Sequence, residues 1–345
     1  MEKIEVQIIS DIPHVTQILC GFNELKRSEK YDVSFKNLLS SSEYFGYAEM
    51  SVVRVVYRGK VIIYDLLDGY LGVDRMTKLL IGCDLYFKRS FSEQKNADFS
   101  SELKSKIHPL GFNYHLTYKG CPLNDSLPKR IIKTLFGRES MNSFTADRFE
   151  GKAKETQGKP EILFLTRLWD PSECSEEHKA ERIKINSDRI SIIKALKERY
   201  GDNATVGIND TPFSRSVAPD LIMDDSFTKR KNYLKLLHKS DICIASTGLH
   251  GSIGWKTGEY VAAAKAIVSE PFVYTVTGDF EEGKNYLSYT TPEQCIAAVD
   301  SLWNDPKAIY EMKINNERYY SKYLSPAAIV ENTLKITDTI IEKGY

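Results

Sequence analysis

The chain has no excess of charge of either sign, with 47 basic and 47 acidic residues over 345 positions. That balance excludes the broad electrostatic attraction to phosphate backbones on which nucleic-acid binders depend, so no nucleic-acid partner is expected. Cysteine is sparse: Cys20, Cys83, Cys121, Cys174, Cys243 and Cys295 are scattered without C-x-x-C pairing. The pattern argues against a zinc site and for reduced, mostly buried thiols, as in a cytoplasmic protein. No apolar run approaches the roughly 18 residues needed to span a bilayer. The N-terminus, MEKIEVQIIS, enters a strand at once, so no signal peptide is expected. Internal repeats and low-complexity segments are also missing. The length allows two domains, each with its own core.

What is present is an alternation of strands and helices. Ile4–Ser10 reads as a first strand, followed by a helix through Leu25 with Pro13 in its first turn. A short strand at Tyr31–Phe35 comes next. Ser51–Tyr64 reads as a hairpin turning at Arg58-Gly59-Lys60. A helix over Asp74–Ile81 and a strand over Asp84–Lys88 follow, and then helix and loop from Ser92 to Pro109. Between Glu139 and Pro160 the composition turns polar and small, which marks a candidate interdomain linker. Beyond it, Glu161–Thr166, Ala204–Ile208 and Asp220–Met223 read as strands, with helices over Ile183–Tyr200 and Thr228–His238. Three more helices are expected over Pro292–Trp303, Asp305–Tyr323 and Pro326–Glu342. Such alternation predicts right-handed crossovers and parallel sheets.

The organising stretch is Ser240–Pro271, read as strand (Ile242–Ala245), glycine-studded loop, helix (Glu259–Lys265) and strand (Ala266–Ser269). Gly248, Gly251, Gly254 and Gly258 let the backbone turn sharply and approach a ligand closely. Ligands bind outside the carboxyl ends of parallel strands, and amides exposed at a helix start favour an anion. Lys256 and Glu259 lie three apart and share a face there. The lysine suits a phosphate or a sugar hydroxyl, and the glutamate can accept hydrogen bonds from both hydroxyls of a ribose. A capping glutamate beside a solvated lysine is the alternative from spacing alone.

The string Trp255-Lys256-Thr257-Gly258-Glu259-Tyr260-Val261-Ala262-Ala263-Ala264-Lys265-Ala266-Ile267-Val268 resembles the C-terminal signature of GT-B glycosyltransferases, in the group called glycosyltransferase family 1 or GT4-like, of the bacterial surface-polysaccharide type. The resemblance covers about residues 160–325. It implies two Rossmann-like α/β domains facing across a cleft: an acceptor-binding domain over 1–150, a nucleotide-sugar domain over 151–325, and a tail over 326–345 returning to the first domain. It further implies Glu259 as the ribose ligand, with Tyr260 beside it on the donor side, and His250, Gly251, Ser252, Gly254 and Lys256 as diphosphate and sugar contacts. Two features depart from the family pattern. Ala264 and Ala266 replace the usual glycine and proline, and Gly251 stands where an acidic partner eight residues before the ribose glutamate is usual. His250 would then grip the sugar.

Arg167, in Phe164-Leu165-Thr166-Arg167-Leu168, resembles the G-R-L arginine that neutralises the leaving diphosphate in that family. A surface ion pair with Asp170 is its alternative. The usual second cation is missing after it, and Lys179 could serve only if the intervening WDPSECSEEHK folds back. In the first half, His14, Asp65 and Asp68 are candidates for acceptor hydroxyls or a general base, although Asp68-Gly69 is also an ordinary turn. The helix start Thr228–Asn232 could touch the nucleotide, but four polar residues at a helix start read first as a solvated end. Lys129, Arg130, Lys133 and Arg138 interleave with apolar residues, a candidate contact with an anionic membrane or a lipid-linked acceptor, with a solvated helix at the domain's edge as the alternative.

No Asp-x-Asp occurs, and adjacent Asp224 and Asp225 would point to opposite faces of an extended segment. No metal and no other cofactor is expected at the diphosphate, which cationic side chains and amides would stabilise instead. The implied activity is sugar transfer from a nucleotide sugar to a glycan or lipid-linked glycan acceptor, with retention, in capsule, O-antigen or related synthesis, on the cytoplasmic side of the membrane. The alternatives are an inactive GT-B-like glycan-binding or assembly protein, or another sugar-nucleotide enzyme such as an epimerase.

Overall fold

The computed structural model describes residues 1–42, 50–70, 72–136 and 138–343, so the last two residues of the tail, 344–345, lie outside the described residues. The first half forms a six-stranded sheet in the order β2-β1-β3-β4-β5-β6, with β1 Lys3–Ile8, β2 Asp32–Asn37, β3 Val52–Tyr57, β4 Lys60–Asp65, β5 Leu85–Lys88 and β6 Ile107–Pro109. β3 alone runs antiparallel to its neighbours, pairing Ile4 with Tyr57 on one side and Val52 with Asp65 on the other. The reversal follows from the hairpin turn, in which Arg58 and Gly59 both take left-handed conformations, φ 48° and 75°. Two successive residues of that hand match the twist of a tight hairpin. Pro13 opens a short 3-10 turn before helix Thr16–Arg27, which crosses from β1 to β2.

The second half forms a five-stranded, wholly parallel sheet in the order β11-β10-β9-β7-β8: β7 Ile162–Thr166, β8 Ala204–Ile208, β9 Ile242–Ala245, β10 Ala266–Ser269 and β11 Leu287–Ser288. Every residue of β7, β9 and β10 is buried, as their unbroken apolar runs require of strands covered on both faces. The chain steps from β7 to β8 on one side, then returns past β7 to β9 on the other. The loops leaving β7 and β9 therefore diverge, and a crevice opens between them at the carboxyl ends of the strands.

The two halves share packing. Phe112, Tyr114, Leu116, Phe144 and Phe149 are buried in one core with Tyr233, Leu237, Tyr260 and Val261. The segment 139–160 is thus not a free linker throughout, because two of its aromatics are core residues. Gly258 allows one of these contacts: a Cβ there would stand 2.9 Å from the carbonyl oxygen of Asn113. The final helix, Pro326–Glu342, lies on the first half, with Ile329, Val330 and Leu334 in the core beside Ile18, Phe22 and Val33. Tyr64 and Thr333 hydroxyls meet there at 2.6 Å.

Several elements differ from expectation. Asp220–Met223 is no strand; a 3-10 turn at Pro219–Leu221 leaves a single bridge from Ile208 to Ile222. β6 and β11 arise where polar sequence gave no strand signal, and each is only two or three residues long. The long helix begins at Glu176 rather than Ile183, so the intervening segment does fold back, through a 3-10 turn at Pro171–Glu173. The helix after the glycine loop spans Trp255–Ala262 and ends with Ala264 in a left-handed conformation, φ 51°.

Candidate active site

The crevice between the β7 and β9 loops is a cavity of about 420 Å³ that His14, Asp68 and Arg89 close from the first sheet. Its lining concentrates positive charge: Arg89, Arg167, Arg189, Arg230 and Lys256 against the two carboxylates of Asp68 and Glu259. In a chain with no net charge, that local excess selects an anion.

Arg189, on helix Glu176–Tyr200, is 5% exposed and holds the two diverging loops together. It donates to the carbonyl of Arg167 at 2.6 Å, to the Ser246 hydroxyl at 3.0 Å and to the carbonyl of Thr247 at 2.9 Å. Burial lowers its pKa to about 10, which leaves it charged at neutral pH. Thr247 is fixed from the other side, its amide and hydroxyl both donating to Glu270, at 2.6 and 2.9 Å. Arg167 is exposed and stacks over the Trp169 ring, 3.3 Å from its centroid, so it stands in the cavity wall rather than in an ion pair with Asp170.

Glu259 is 1% exposed and still lines the cavity. Its carboxylate accepts from the Tyr233 hydroxyl at 2.6 Å and pairs with Arg230 at 2.8 Å. Burial pushes its pKa up, but Arg230, Lys256 and the Tyr233 hydroxyl outweigh burial and hold it below the ordinary value. Lys256 sits over the Tyr233 ring, 4.1 Å from its centroid. Burial lowers its pKa to about 8, against the opposing pull of Glu259. Arg230 corrects the reading of the 228–232 helix start as a solvated end. Glu139 caps that helix by accepting from the Arg230 and Lys231 amides at 2.5 and 3.2 Å, and the Arg230 side chain turns inward.

On the opposite wall, His14 Nε2 lies 3.8 Å from Asp68. The His14 ring meets Trp255 edge-on, with centroids 4.8 Å apart. Burial and then Arg89 lower its pKa, and Asp68 opposes them. Arg89 pairs with Asp68 and donates to the Ile253 carbonyl, joining the two walls. Buried polar atoms of four lining residues find no hydrogen-bond partner among the described residues: His14 Nδ1, Trp169 Nε1, Arg230 Nε and Trp255 Nε1. Unpartnered buried polar atoms are costly, and their convergence on one cavity fits a site awaiting a polar ligand.

Of the residues singled out in the sequence, the structure brings together His14, Asp68, Arg167, Gly254, Lys256 and Glu259. Asp65 is corrected: it is fully buried, paired with Lys88 at 3.0 Å, and accepts from the Tyr86 hydroxyl and the Leu67 amide, so it has no access to an acceptor. Tyr260 is likewise a core residue on the inner face of its helix. Gly251 and Ser252 stand outside the lining. Gly251, at φ 65°, backs onto Val273, and Ser252 is buried behind the loop, its carbonyl accepting from the Gly248 amide at 2.8 Å. His250 also stands outside it and faces helix Glu176–Tyr200, its amide donating to Glu181 at 2.6 Å. Lys179 pairs with Glu176 on the surface, and Arg189, ten residues further along the helix, takes the position beside Arg167. Sequence reasoning missed Arg189, Arg89, Tyr233 and the tryptophans. An arginine on a long, predominantly polar helix carries no signal of its own, because its burial comes from the loops packed over it.

No family model matches the chain, and no curated protein matches it in sequence. Among solved structures it is similar to S. aureus MnaA in a co-structure with UDP, at 12% identity and TM-score 0.45 over 99% of this chain and 97% of that one. It is similar to Anabaena HepE in complex with UDP, at 12% identity and TM-score 0.40 over 92% and 89%. It is also similar to the C-terminal domain of a glycosyl transferase group 1 family protein, LpcC, from Francisella tularensis, at 14% identity and TM-score 0.34 over 51% and 95%. At these distances the function rests on the chemistry of this chain's own cleft.

The low pKa of Lys256 generates a prediction about binding. A bound diphosphate stabilises the charged ammonium and raises its pKa, so binding takes up a proton where the free group is partly neutral. Affinity for a nucleoside diphosphate is expected to fall as pH rises through about 8, and Lys256→Arg should carry the affinity to higher pH. Calorimetry in buffers of different ionisation enthalpy measures the uptake. An uptake at pH 8.5 that is unchanged in Lys256→Arg would exclude Lys256 as its source.

Proposed function

We propose that the protein is a glycosyltransferase of GT-B architecture that moves a sugar from a nucleotide-sugar donor to a glycan or lipid-linked glycan acceptor. The observation that carries this reading is the cleft itself, where five cationic side chains surround one buried carboxylate at the switch point of a parallel sheet. Cations suit a diphosphate, and a carboxylate suits a diol. A nucleotide sugar presents both at adjoining positions. Arg167, Lys256 and Arg230 would stabilise the leaving diphosphate as the bond from the sugar's anomeric carbon to phosphate oxygen breaks. The lone pairs that Tyr233 and Arg230 leave on Glu259 would take the ribose hydroxyls. With this much fixed positive charge, no metal is required at the diphosphate, and turnover is expected without added magnesium or manganese.

The donor is tested by thermal shift with UDP-, GDP-, CMP- and dTDP-sugars. One donor class at a hundred times its dissociation constant should add about 2.7 kcal/mol of stability. Glu259→Gln should remove the shift and cost about 2–3 kcal/mol in kcat/KM, roughly 30- to 160-fold. A shift without transfer to any acceptor would favour a binding or assembly role, and turnover of the donor alone would favour an epimerase. A full response in the variant would exclude the ribose role.

Retention is implied by the family resemblance alone, whereas the His14–Asp68 pair favours a second reading, inversion with His14 as general base. Its lowered pKa keeps the imidazole neutral and able to accept the acceptor's hydroxyl proton at neutral pH. Under this reading His14→Asn lowers kcat at least a hundredfold with little change in donor affinity, and the wild-type rate falls as pH drops below the histidine pKa. NMR of the anomeric proton in the first product decides: retained configuration removes His14 as the base.

A lipid-linked acceptor is supported by helix Leu127–Leu135, which exposes Leu127, Ile131, Ile132, Leu135 and the following Phe136 beside Lys129, Arg130, Lys133 and Arg138. No helix among the described residues is long and apolar enough to cross a membrane. We place this face on an anionic bilayer, at the inner surface of the cytoplasmic membrane, with surface-polysaccharide synthesis as the pathway. Vesicles containing anionic lipid should sediment the protein, and Ile131→Ser with Leu135→Ser should weaken that binding at least tenfold. Equal binding to neutral vesicles, or no effect of the pair, would refute the contact.

A further inference from the structure

His178, Glu181 and His250 come together outside the lining of the cleft although the sequence separates them by up to seventy-two positions. His178 and Glu181 lie three apart on helix Glu176–Tyr200 and so share a face. His250 arrives from the loop between β9 and helix Trp255–Ala262, where it is held at φ 60° and ψ 29°. One ligand atom from each of the three residues lies within 4.8 Å of the other two. The two imidazoles meet edge to face with centroids 4.7 Å apart, and His250 Nδ1 stands 3.9 Å from Glu181 Oε2. Two contacts orient the set. The His250 amide donates to Glu181 Oε1 at 2.6 Å, which directs the other carboxylate oxygen toward the rings. The Tyr274 hydroxyl donates to the His250 carbonyl at 3.1 Å and anchors the loop from behind.

We propose that these three residues form a site for a divalent transition-metal ion of the zinc type. Two neutral imidazoles and a carboxylate are a three-ligand donor set that leaves a further position to water. Bonds of about 2.1 Å to a tetrahedral ion require ligand atoms about 3.4 Å apart, so side-chain rotation on the order of an ångström closes the set. All three side chains are partly exposed, which allows that rotation and gives an ion entry. Glu177 adds a carboxylate 3.2 Å from His178 Nε2, as metal-bound histidines commonly have.

The ion would lie apart from the residues that line the cleft and would not be the agent that neutralises a diphosphate. It would fasten the loop that runs from Gly248 to Gly254 onto the helix that carries Arg189, and so tie together two walls of one cavity. The site stands on its own geometry, independent of the transferase reading, and its test needs no donor or acceptor.

The test uses full-length, tag-free protein stripped of metal and titrated with cobalt(II), followed by competition with zinc. The expected result is one equivalent of cobalt with the intense visible d–d absorption of a four- or five-coordinate ion, displaced by zinc. Zinc should also raise the melting temperature. His178→Ala and His250→Ala should each weaken binding at least tenfold and abolish the visible bands. Circular dichroism of the metal-free variants checks their folding, and Glu181→Gln replaces either one that fails to fold. Absence of visible bands and of a zinc-dependent shift in the wild type would overturn the site. Unchanged binding in the folded variants would overturn it equally, since the ion would then sit elsewhere.

Discussion

Arg189 is the constraint on which the cleft depends. A parallel sheet whose strand order turns at β7 and β9 must send two loops apart, and carbonyl groups at their roots are left without strand partners. One guanidinium from a helix packed beneath them satisfies the carbonyls of Arg167 and Thr247 and the hydroxyl of Ser246. Glu270 then ties Thr247 to the end of β10. The floor of the cavity is therefore a hydrogen-bonded frame, set before any ligand enters.

On that frame Glu259, Lys256 and Arg230 are set against one another. Glu259 stays ionised because Arg230, Lys256 and Tyr233 surround it, and Lys256 stays basic enough to be charged at neutral pH because Glu259 is near. Asp68 and Arg89 repeat the pairing on the facing wall. The positive excess that remains is directed into the cavity. A low-dielectric wall strengthens that field relative to water, so a chain of zero net charge has a cleft with a local excess of positive charge.

The two halves reach this arrangement through shared packing. The segment from Phe112 to Phe149 inserts aromatic side chains behind helix Trp255–Ala262, with Gly258 leaving room for the Asn113 backbone. The last helix returns to the first sheet, where Gly21 lets the backbone of Pro326 approach closely. Small residues at these two crossings let backbone meet backbone. The facing walls are thereby fixed at the separation that puts His14 against Trp255.

The sequence by itself determined the strands and helices whose pattern is local. The apolar runs at β7, β8, β9 and β10 read as parallel strands, and the turn residues at 58–59 read as a hairpin turn, as the structure has them. It also marked Lys256 and Glu259, because two charged residues one helical turn apart after a glycine loop are a pattern visible along the chain. Tertiary structure alone decided which charges are buried and which partners they have. Asp65 and Asp68 are three positions apart, yet one is locked in the core against Lys88 and the other opens onto the cleft. Arg189 and Arg230 looked like surface residues of polar helices until loops from elsewhere covered them. His178, Glu181 and His250 meet only because a left-handed turn carries one of them onto a helix seventy residues away. Burial and long-range pairing are properties of the packed chain, and neither leaves a periodicity along it.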